Sequence, residues 1–553
     1  MSSASRPPTV AAQLTNRLHR LGITTVFGVH GANAEDIFDA ALRHPGLTPV
    51  IAKHEFGAGA MADGLTRITG IPSAVVTTSG GGAVNVVAAL AESYDSRIPV
   101  LAVIGAPPRA VTANGGFQDM LAPPDTIDLR AVLGGVTGYC RVIDDPAGLD
   151  PAFDAAAHVL RSGFPAALVL PKDIQTAPAA PQPAPAPAAP ATPPDLDALT
   201  TTLLAAAHRA DPLCLWAGEE AAQAGLGPAI QELADLLGAT VVVSPGGRAA
   251  GTRHCAGVTG VMGHPSAHAA LTAARVIVAL GCRLSLTDRA GLDAHLAAVG
   301  VIHLGAHRPR LAGATHLGCP DLPAALTALT AQIRTRVGPR PPARPTCTHL
   351  PRQATTAALG MPDAVEIIGA ALPEHCRVFA DAGNAGAAAI HHLPFGAGQF
   401  AVALGMGGMG YGIAAGIGAA IGAPEQRTVI IAGDGAFLMH GMEIHTAIEH
   451  RAPVTLIVLN NNAHGMCVTR EQLYFPPPPP TAPRGLNRFR RTDIAAGLAA
   501  MFPGLPVRRA ADPDTLRAAC AELLPLPGPQ CLVIDVDADE IPPFAPFVRE
   551  EPR

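Results

Sequence analysis

The chain has 553 residues, 48% hydrophobic, 4% aromatic and 15% charged, and its 38 Lys and Arg against 44 Asp and Glu leave a formal charge of −6. That balance offers no basic field to a phosphate backbone, which argues against nucleic acid as a partner, and the apolar share excludes disorder over most of the chain. The length suits three or four domains better than one core, with interiors built from aliphatic and small side chains.

In chain order, the N-terminus MSSASRPPTV has no basic stretch followed by an apolar one, so no secretory signal is read and a cytoplasmic address is expected. Residues 1–175 alternate helices (Ala12–Arg20, Glu35–Leu42) with apolar runs at Thr24–Val29, Val50–Ala52, Ala74–Thr78 and Val100–Ile104. Thr176–Pro194 is almost wholly Ala, Pro and Thr and reads as a semi-rigid linker. Residues 195–336 carry apolar runs at Leu213–Ala217, Thr240–Val243, Val276–Leu280 and Val301–Leu304, and a second linker covers 337–356. Residues 357–553 carry Val378–Ala380, Thr428–Ala432, Thr455–Leu459 and Cys531–Val536. Continuous apolar runs mark strands buried on both faces, so the expected fold is α/β, three domains each with a central parallel sheet flanked by helices. The Gly- and Ala-rich stretch 405–423 is the nearest approach to a membrane span and contains Tyr411, so no span is expected. Ten cysteines without a CxxC pair or a His-Cys cluster read as free thiols in a reducing compartment.

In folds of this kind ligands gather at the carboxyl ends of strands. The run Thr428–Ala432 ends in Gly433-Asp434-Gly435, and 24 residues separate Gly435 from Asn460-Asn461-Asn462 at the end of the run Thr455–Leu459. The stretch between has helical spacing and closes with Pro453, so Asp434 and Asn461 are expected at the tips of two neighbouring strands of one right-handed βαβ unit. A carboxylate and an amide oxygen converging there suit a hard divalent cation such as Mg²⁺ holding phosphate oxygens. Glycines let the phosphates approach, and the following helix points its positive end at them. Taken singly, Gly-Asp-Gly is also a tight turn and Asn-Asn a helix cap. A rival reading joins Gly405, Gly407 and Gly410, which match G-x-G-x-x-G, to Asp434 as the acid of a nicotinamide site, but it gives the Asn-Asn tip no role.

Three strand ends of the first segment carry Gly28-Val29-His30-Gly31-Ala32-Asn33, Lys53-His54-Glu55, and Ser79-Gly80-Gly81-Gly82 with Asn85 beyond. HEFGAGAMADGLTR, TTSGGGAVN, LGMGGMGYG and GDG followed by NN together resemble the thiamine diphosphate-dependent enzymes of the acetolactate synthase, benzaldehyde lyase and 2-oxo acid decarboxylase group. The resemblance runs nearly end to end and implies pyrimidine-binding (1–175), central (195–336) and diphosphate-binding (357–553) domains. It assigns Glu55 to the glutamate that hydrogen-bonds the cofactor's pyrimidine, and the Gly, Ala and Met helix it leads into predicts burial and a raised pKa. It assigns Asp434, Asn461 and the Ala463 carbonyl to the metal, Gly407 to a carbonyl facing the amino group, and Met409 to the apolar wedge. Gly383, Asn384, Gly435, Ala436, Gly465 and Met466 fall where the family holds the diphosphate. It also implies a homodimer or tetramer whose active sites are shared between subunits.

His30, where acetolactate synthases usually have proline, resembles the HGA loop of benzaldehyde lyase and its relatives, and Gln118 matches a glutamine beside the substrate. With His464 these are candidate proton carriers. The implied reaction is acyloin ligation or cleavage through a C2 carbanion and enamine, with a 2-oxo acid such as pyruvate or an acyloin as donor and an aldehyde or ketone as acceptor. The alternatives are a 2-oxo acid decarboxylase releasing aldehyde and an acetolactate synthase-like enzyme; a nicotinamide oxidoreductase and a silent binding subunit stand outside the class. The strand ending VIHLGAHRPR lacks the acidic residues of flavin-binding relatives, so FAD is not expected. His391-His392 and the run Pro476–Pro480, followed by Arg484, Arg488, Arg490 and Arg491, fit no standard acetolactate synthase; the latter is either a lid meeting an anionic substrate or a solvated basic loop.

Overall fold

A computed structural model describes residues 8–180, 194–338, 340–352, 355, 357–396, 398–481 and 485–546. Three sheets form, and every strand pair within them is parallel. The first contains β1 (Thr25–Gly28), β2 (Thr48–Ile51), β3 (Ser73–Thr78), β4 (Val100–Ala106), β5 (Tyr139–Val142) and β6 (Ala166–Pro171), in the order 2-1-3-4-6-5. The central sheet contains β7 (Leu213–Ala217), β8 (Thr240–Val243), β9 (Val276–Leu280), β10 (Val301–Gly305) and β11 (Thr315–Gly318), in the order 11-10-9-7-8. The third contains β12 (Arg377–Ala380), β13 (Gln399–Val402), β14 (Thr428–Gly433), β15 (Val454–Asn460), β16 (Val507–Ala510) and β17 (Gln530–Asp535), in the order 13-12-14-15-17-16.

The first and third sheets share one winding. In each, the chain reverses its direction of growth between the first and third strands, and a crevice opens there at the strand tips. The helix after the second strand is Glu55–Thr69 in one domain and Tyr411–Gly422 in the other. These two helices pack on each other at backbone distance: a Cβ at Gly64 would lie 2.2 Å from the Ala415 carbonyl oxygen, and one at Gly418 would lie 2.3 Å from that of Met61. The contact merges the interiors of both domains into one core, in which Met61 and Leu65 meet Ile413 and Ile417. Another core joins the central domain to the third, with Leu322 and Leu329 in the same cluster as Ile368 and Ile390.

Five strands escape the sequence pattern: β5, β6, β11, β13 and β16. Four are sheet edges, where one flank meets solvent and polar residues such as Arg141, His316, Gln399 and Arg508 interrupt the apolar run. β6 lies inside, but its start, Ala166-Ala167, carries no β-branched signal. The stretch after Gly435 read as helical is broken into Asp434–His440, a 3₁₀ turn Gly441–Glu443 and Ile444–Glu449, with Gly441 lying against the Phe437 ring. Of the Ala/Pro segment 176–194, residues 181–193 lie outside the described residues. Its beginning is pinned to the first domain, where Val10 N–H donates to the Ala177 carbonyl at 3.0 Å and Ala179 N–H to that of Pro8 at 2.8 Å. Among the described residues, no helix is long and apolar enough to cross a membrane.

Candidate active site

The tips of β1 and β3 are welded together. A Cβ at Gly28 would lie 2.1 Å from the Val76 carbonyl oxygen, and one at Gly31 would lie 2.7 Å from the Thr78 side chain, so the His30 loop rests on the end of β3. Gln118 comes from a distant loop. Its Oε1 accepts from Thr78 Oγ1 at 3.0 Å and Asn33 Nδ2 at 3.4 Å, while Asn33 also donates to Ser79 Oγ at 3.0 Å. His30 is exposed at the rim of this cluster, its ring stacked on Phe38 at 5.4 Å.

Glu55 opens its helix behind the His54 cap, whose Nδ1 accepts from Phe56 N–H at 3.1 Å. Glu55 Oε2 accepts from Asn85 Nδ2 at 2.9 Å, and Oε1 lies 3.2 Å from where a Cβ on Gly82 would stand, so the glycine turn admits the carboxylate. Burial begins only at Phe56; Glu55 itself is half-buried, and its own helix does not enclose it as the sequence predicts. The segment Lys53–His54 is held by Glu443, a buried carboxylate that sequence reasoning passed over. Glu443 Oε1 accepts from both backbone N–H groups at 3.1 Å, and burial pushes its carboxyl up.

On the third sheet, β14 and β15 are neighbours in register Gly433↔Leu459, which brings Asp434 and Asn461 to adjacent tips. Asp434 is 3% exposed, and burial pushes its carboxyl up to about 6 although backbone N–H groups of Gly435, Asn461 and Ala463 donate to it. Asn461 Oδ1 accepts from Ala463 N–H at 3.0 Å. A Cβ at Gly465 would fall 2.6 Å from Asn461 Nδ2 and 2.7 Å from Asn384 Nδ2, and one at Gly435 would fall 3.0 Å from the Met409 methyl and 2.7 Å from the His464 ring. Asn384, after Gly383, leaves its Oδ1 buried without a donor. Ala436 is buried, Met409 and Met466 half-buried, and Gly407 exposed with φ +65. A second carboxylate missed from sequence, Asp381, organises the glycine loop. Its oxygens accept from Gly410 and Gly412 N–H at 2.9 and 2.8 Å, and burial pushes it up to about 6. A buried carboxylate in no ion pair and an amide oxygen with no donor among the described residues, set among glycines, fit a hard divalent cation holding a diphosphate.

The unexplained residues elsewhere resolve differently. His391 and His392 join His264 and His349 in a seam between the central and third domains. Ring nitrogens of His264, His349 and His391 lie within 4.8 Å of one another. This is nonetheless no metal site. His264 accepts from Val258 N–H at 3.0 Å and faces the His391 carbonyl at 2.9 Å, and His391 accepts from Leu350 N–H and faces the Met262 carbonyl, both at 3.1 Å. Both lone pairs are therefore committed, and the two rings stack at 4.3 Å and 10°, so they cannot converge on an ion. Burial pushes His264 down to about 2, His392 to about 3 and His391 to about 4, so the rings are neutral. Arg488 is ion-paired with Asp539, Arg490 and Arg491 are exposed, and Arg484 lies outside the described residues.

Two doubly wound domains facing each other, one tip cluster with a half-covered carboxylate and the other shaped for a metal diphosphate, define a cofactor enzyme of the thiamine diphosphate class. Sequence models of the thiamine pyrophosphate enzyme family match in the same order: the N-terminal TPP binding domain at 8–129, the central domain at 200–320 and the C-terminal TPP binding domain at 381–536. The chain belongs to the thiamine pyrophosphate enzyme family, and is a thiamine diphosphate-dependent enzyme that makes or breaks carbon–carbon bonds. It is 26% identical to acetolactate synthase 2, chloroplastic, of Nicotiana tabacum, over 95% of this chain and 82% of that one. It is 25% identical to the acetolactate synthase isozyme 1 large subunit of Escherichia coli, over 97% and 96% respectively. Its fold matches the solved chain of a candidate thiamin diphosphate-dependent enzyme from Mycobacterium smegmatis, with a TM-score of 0.76 and 22% identity, over 96% of this chain and 99% of that one.

Proposed function

We propose that the enzyme is a thiamine diphosphate- and Mg²⁺-dependent acyloin carboligase or lyase, taking a 2-oxo acid such as pyruvate, or an acyloin, as acyl donor. The observation that carries this is the buried Asp434 carboxylate, met by backbone N–H groups but in no ion pair among the described residues, close to Asn461 and the orphaned Asn384 oxygen. Bound there, thiamine diphosphate supplies a carbon nucleophile for a carbonyl and a sink for the electron pair freed when CO₂ or an aldehyde departs. Asp434, Asn461 and the Ala463 carbonyl hold the cation, while Gly383, Asn384, Gly435, Ala436, Gly465 and Met466 line the diphosphate. Gly407 would offer its carbonyl to the amino group, Met409 would pack against the cofactor's rings, and Glu55 would hold a proton at the pyrimidine nitrogen. Gln118, fixed by Thr78 and Asn33, and His30 at the rim serve the substrate carbonyl as hydrogen-bond donors and proton carriers.

The same chemistry run without an acceptor is a 2-oxo acid decarboxylase, and the acetolactate synthases among the relatives support pyruvate as both donor and acceptor. Calorimetry with thiamine diphosphate and Mg²⁺, followed by mass spectrometry of products from pyruvate with and without aldehydes, tests the reading. Binding and mixed acyloins support it, aldehyde alone selects the decarboxylase, and absence of binding refutes it.

A second copy of the chain completes the site. What supports this is the half-covered Glu55 and an apolar surface beside the metal ligands: Leu438, Met439 and Met442 are 53%, 51% and 42% exposed, and Phe117, next to Gln118, is 75% exposed. Flavin is not needed on this reading. At the tips of β7, β9 and β10, Glu219 and Glu220 accept from the backbone N–H groups of Arg283 (3.2 Å), Ala306 (2.7 Å) and His307 (3.3 Å), which places two carboxylates there. Reduced thiols fit a cytoplasmic setting: among the described residues, no cysteine is joined in a disulfide.

A further inference from the structure

The loop Gly405–Gly410 carries Gly407 and Met409, so its position decides where the cofactor's amino group and ring wedge are met. Its far end is tied within its own domain by Asp381. Its near end is tied by a residue of another domain. Glu92, on the helix Val87–Ser96 that leads into β4, is buried, and its Oε1 and Oε2 accept from Gly405 and Met406 N–H at 3.2 and 2.6 Å.

Around Glu92 the fold is closed. Ser96 Oγ donates to Oε1 at 2.6 Å, and the Arg67 guanidinium stands 3.4 Å away as counter-charge. Arg67 in turn binds Asp63 at 2.6 Å, which accepts from Ser93 Oγ and from the hydroxyl of Tyr411, the first residue of the helix behind the loop. The arrangement leaves no slack at Gly405, where a Cβ would fall 2.8 Å from Asp95 Oδ2. A carboxylate accepting two adjacent backbone N–H groups, itself held by a guanidinium, fixes both position and direction of a glycine-rich loop that would otherwise sample many conformations.

We infer that Glu92 is a positioning residue for the diphosphate-domain loop: through Gly405 and Met406 it sets Gly407 and Met409 against the cofactor. This rests on the cofactor placement proposed above. Glu92→Gln keeps size and one acceptor but replaces the other with an amide that faces an N–H. In the full-length protein with Mg²⁺, the expected result is a roughly tenfold or larger rise in the Kd of thiamine diphosphate by calorimetry, and a similar slowing of C2 hydrogen–deuterium exchange by NMR, the scale of one lost charged hydrogen bond. A purely structural Glu92 would lower the melting temperature and leave Kd and exchange at wild-type values; that outcome overturns the inference. Should Glu92→Gln not fold, Ser96→Ala releases one restraint on the carboxylate and is expected to move both readouts in the same direction by about two- to threefold; no movement overturns the inference equally. Wild-type protein that binds no thiamine diphosphate would defeat the placement itself, and this inference with it.

Discussion

A carboxylate buried at a strand tip is an energetic liability until a cation answers it, and Asp434 is in that position. Asp434→Ala should therefore leave the ligand-free protein at least as stable as the parent while removing the stabilisation that Mg²⁺ and thiamine diphosphate confer, about 2.7 kcal/mol at a hundredfold excess over Kd. Thermal melts with and without both ligands check this, and a full ligand shift in the variant would contradict it. Glu55→Gln should fold and bind but slow C2 exchange of the cofactor by roughly 100-fold or more, the scale of general acid–base assistance; an unchanged exchange rate would remove Glu55 from its role. The placement of Asp434, Asn461 and Glu55 beyond strand ends was legible because each follows an apolar run, Asp434 between two glycines and Asn461 between two asparagines. Asp381, Glu443 and Glu92 were not, since their partners are backbone N–H groups of distant segments: Gly410, His54 and Met406 have no side-chain pattern that announces them.

Among the elements, the helices Glu55–Thr69 and Tyr411–Gly422 matter most, for their packing joins the first and third domains. Gly64→Ala places a methyl group against the Ala415 carbonyl at 2.2 Å and should cost about 1–3 kcal/mol in urea unfolding. Gly134→Ala, where a Cβ would meet nothing, is the control and should be nearly neutral; equal effects would show that the helix contact is not tight. Apart from β6, the interior strands read directly from their apolar runs, β14 and β15 almost to the residue. Four of the edge strands did not, because half-exposed strands such as β5 and β16 mix Arg into the pattern. The shared winding of the first and third sheets was equally hidden, since strand order is decided by crossovers that leave no local trace in the sequence.

At the scale of the molecule, the histidine seam joins the central and third domains and makes their union sensitive to acid. His264, His391 and His392 have folded pKa values of about 2, 4 and 3, below the unfolded value near 6.5, so the unfolded chain binds more protons as pH falls below 6.5. Stability is complete above that pH and declines on acidification, by up to roughly 1.4 kcal/mol per histidine per pH unit. Arg248, Arg352, Glu366 and His349 face the cluster, and only the glutamate opposes the trend. The melting temperature should fall between pH 7.5 and 5, and less steeply in His392→Leu; a flat profile in the parent would show the seam is not what acid attacks.

On the function proposed, Glu55 of one copy and Asp434 of another serve the same cofactor. Glu55→Gln and Asp434→Ala are each expected to be inactive alone, yet a mixed dimer would contain one site with both groups intact. Acyloin formation from pyruvate by the two variants unfolded, mixed and refolded together is the most direct test. Activity that reappears only in the mixture is the predicted result; a mixture as inactive as its components, although mixed dimers have formed, would contradict it.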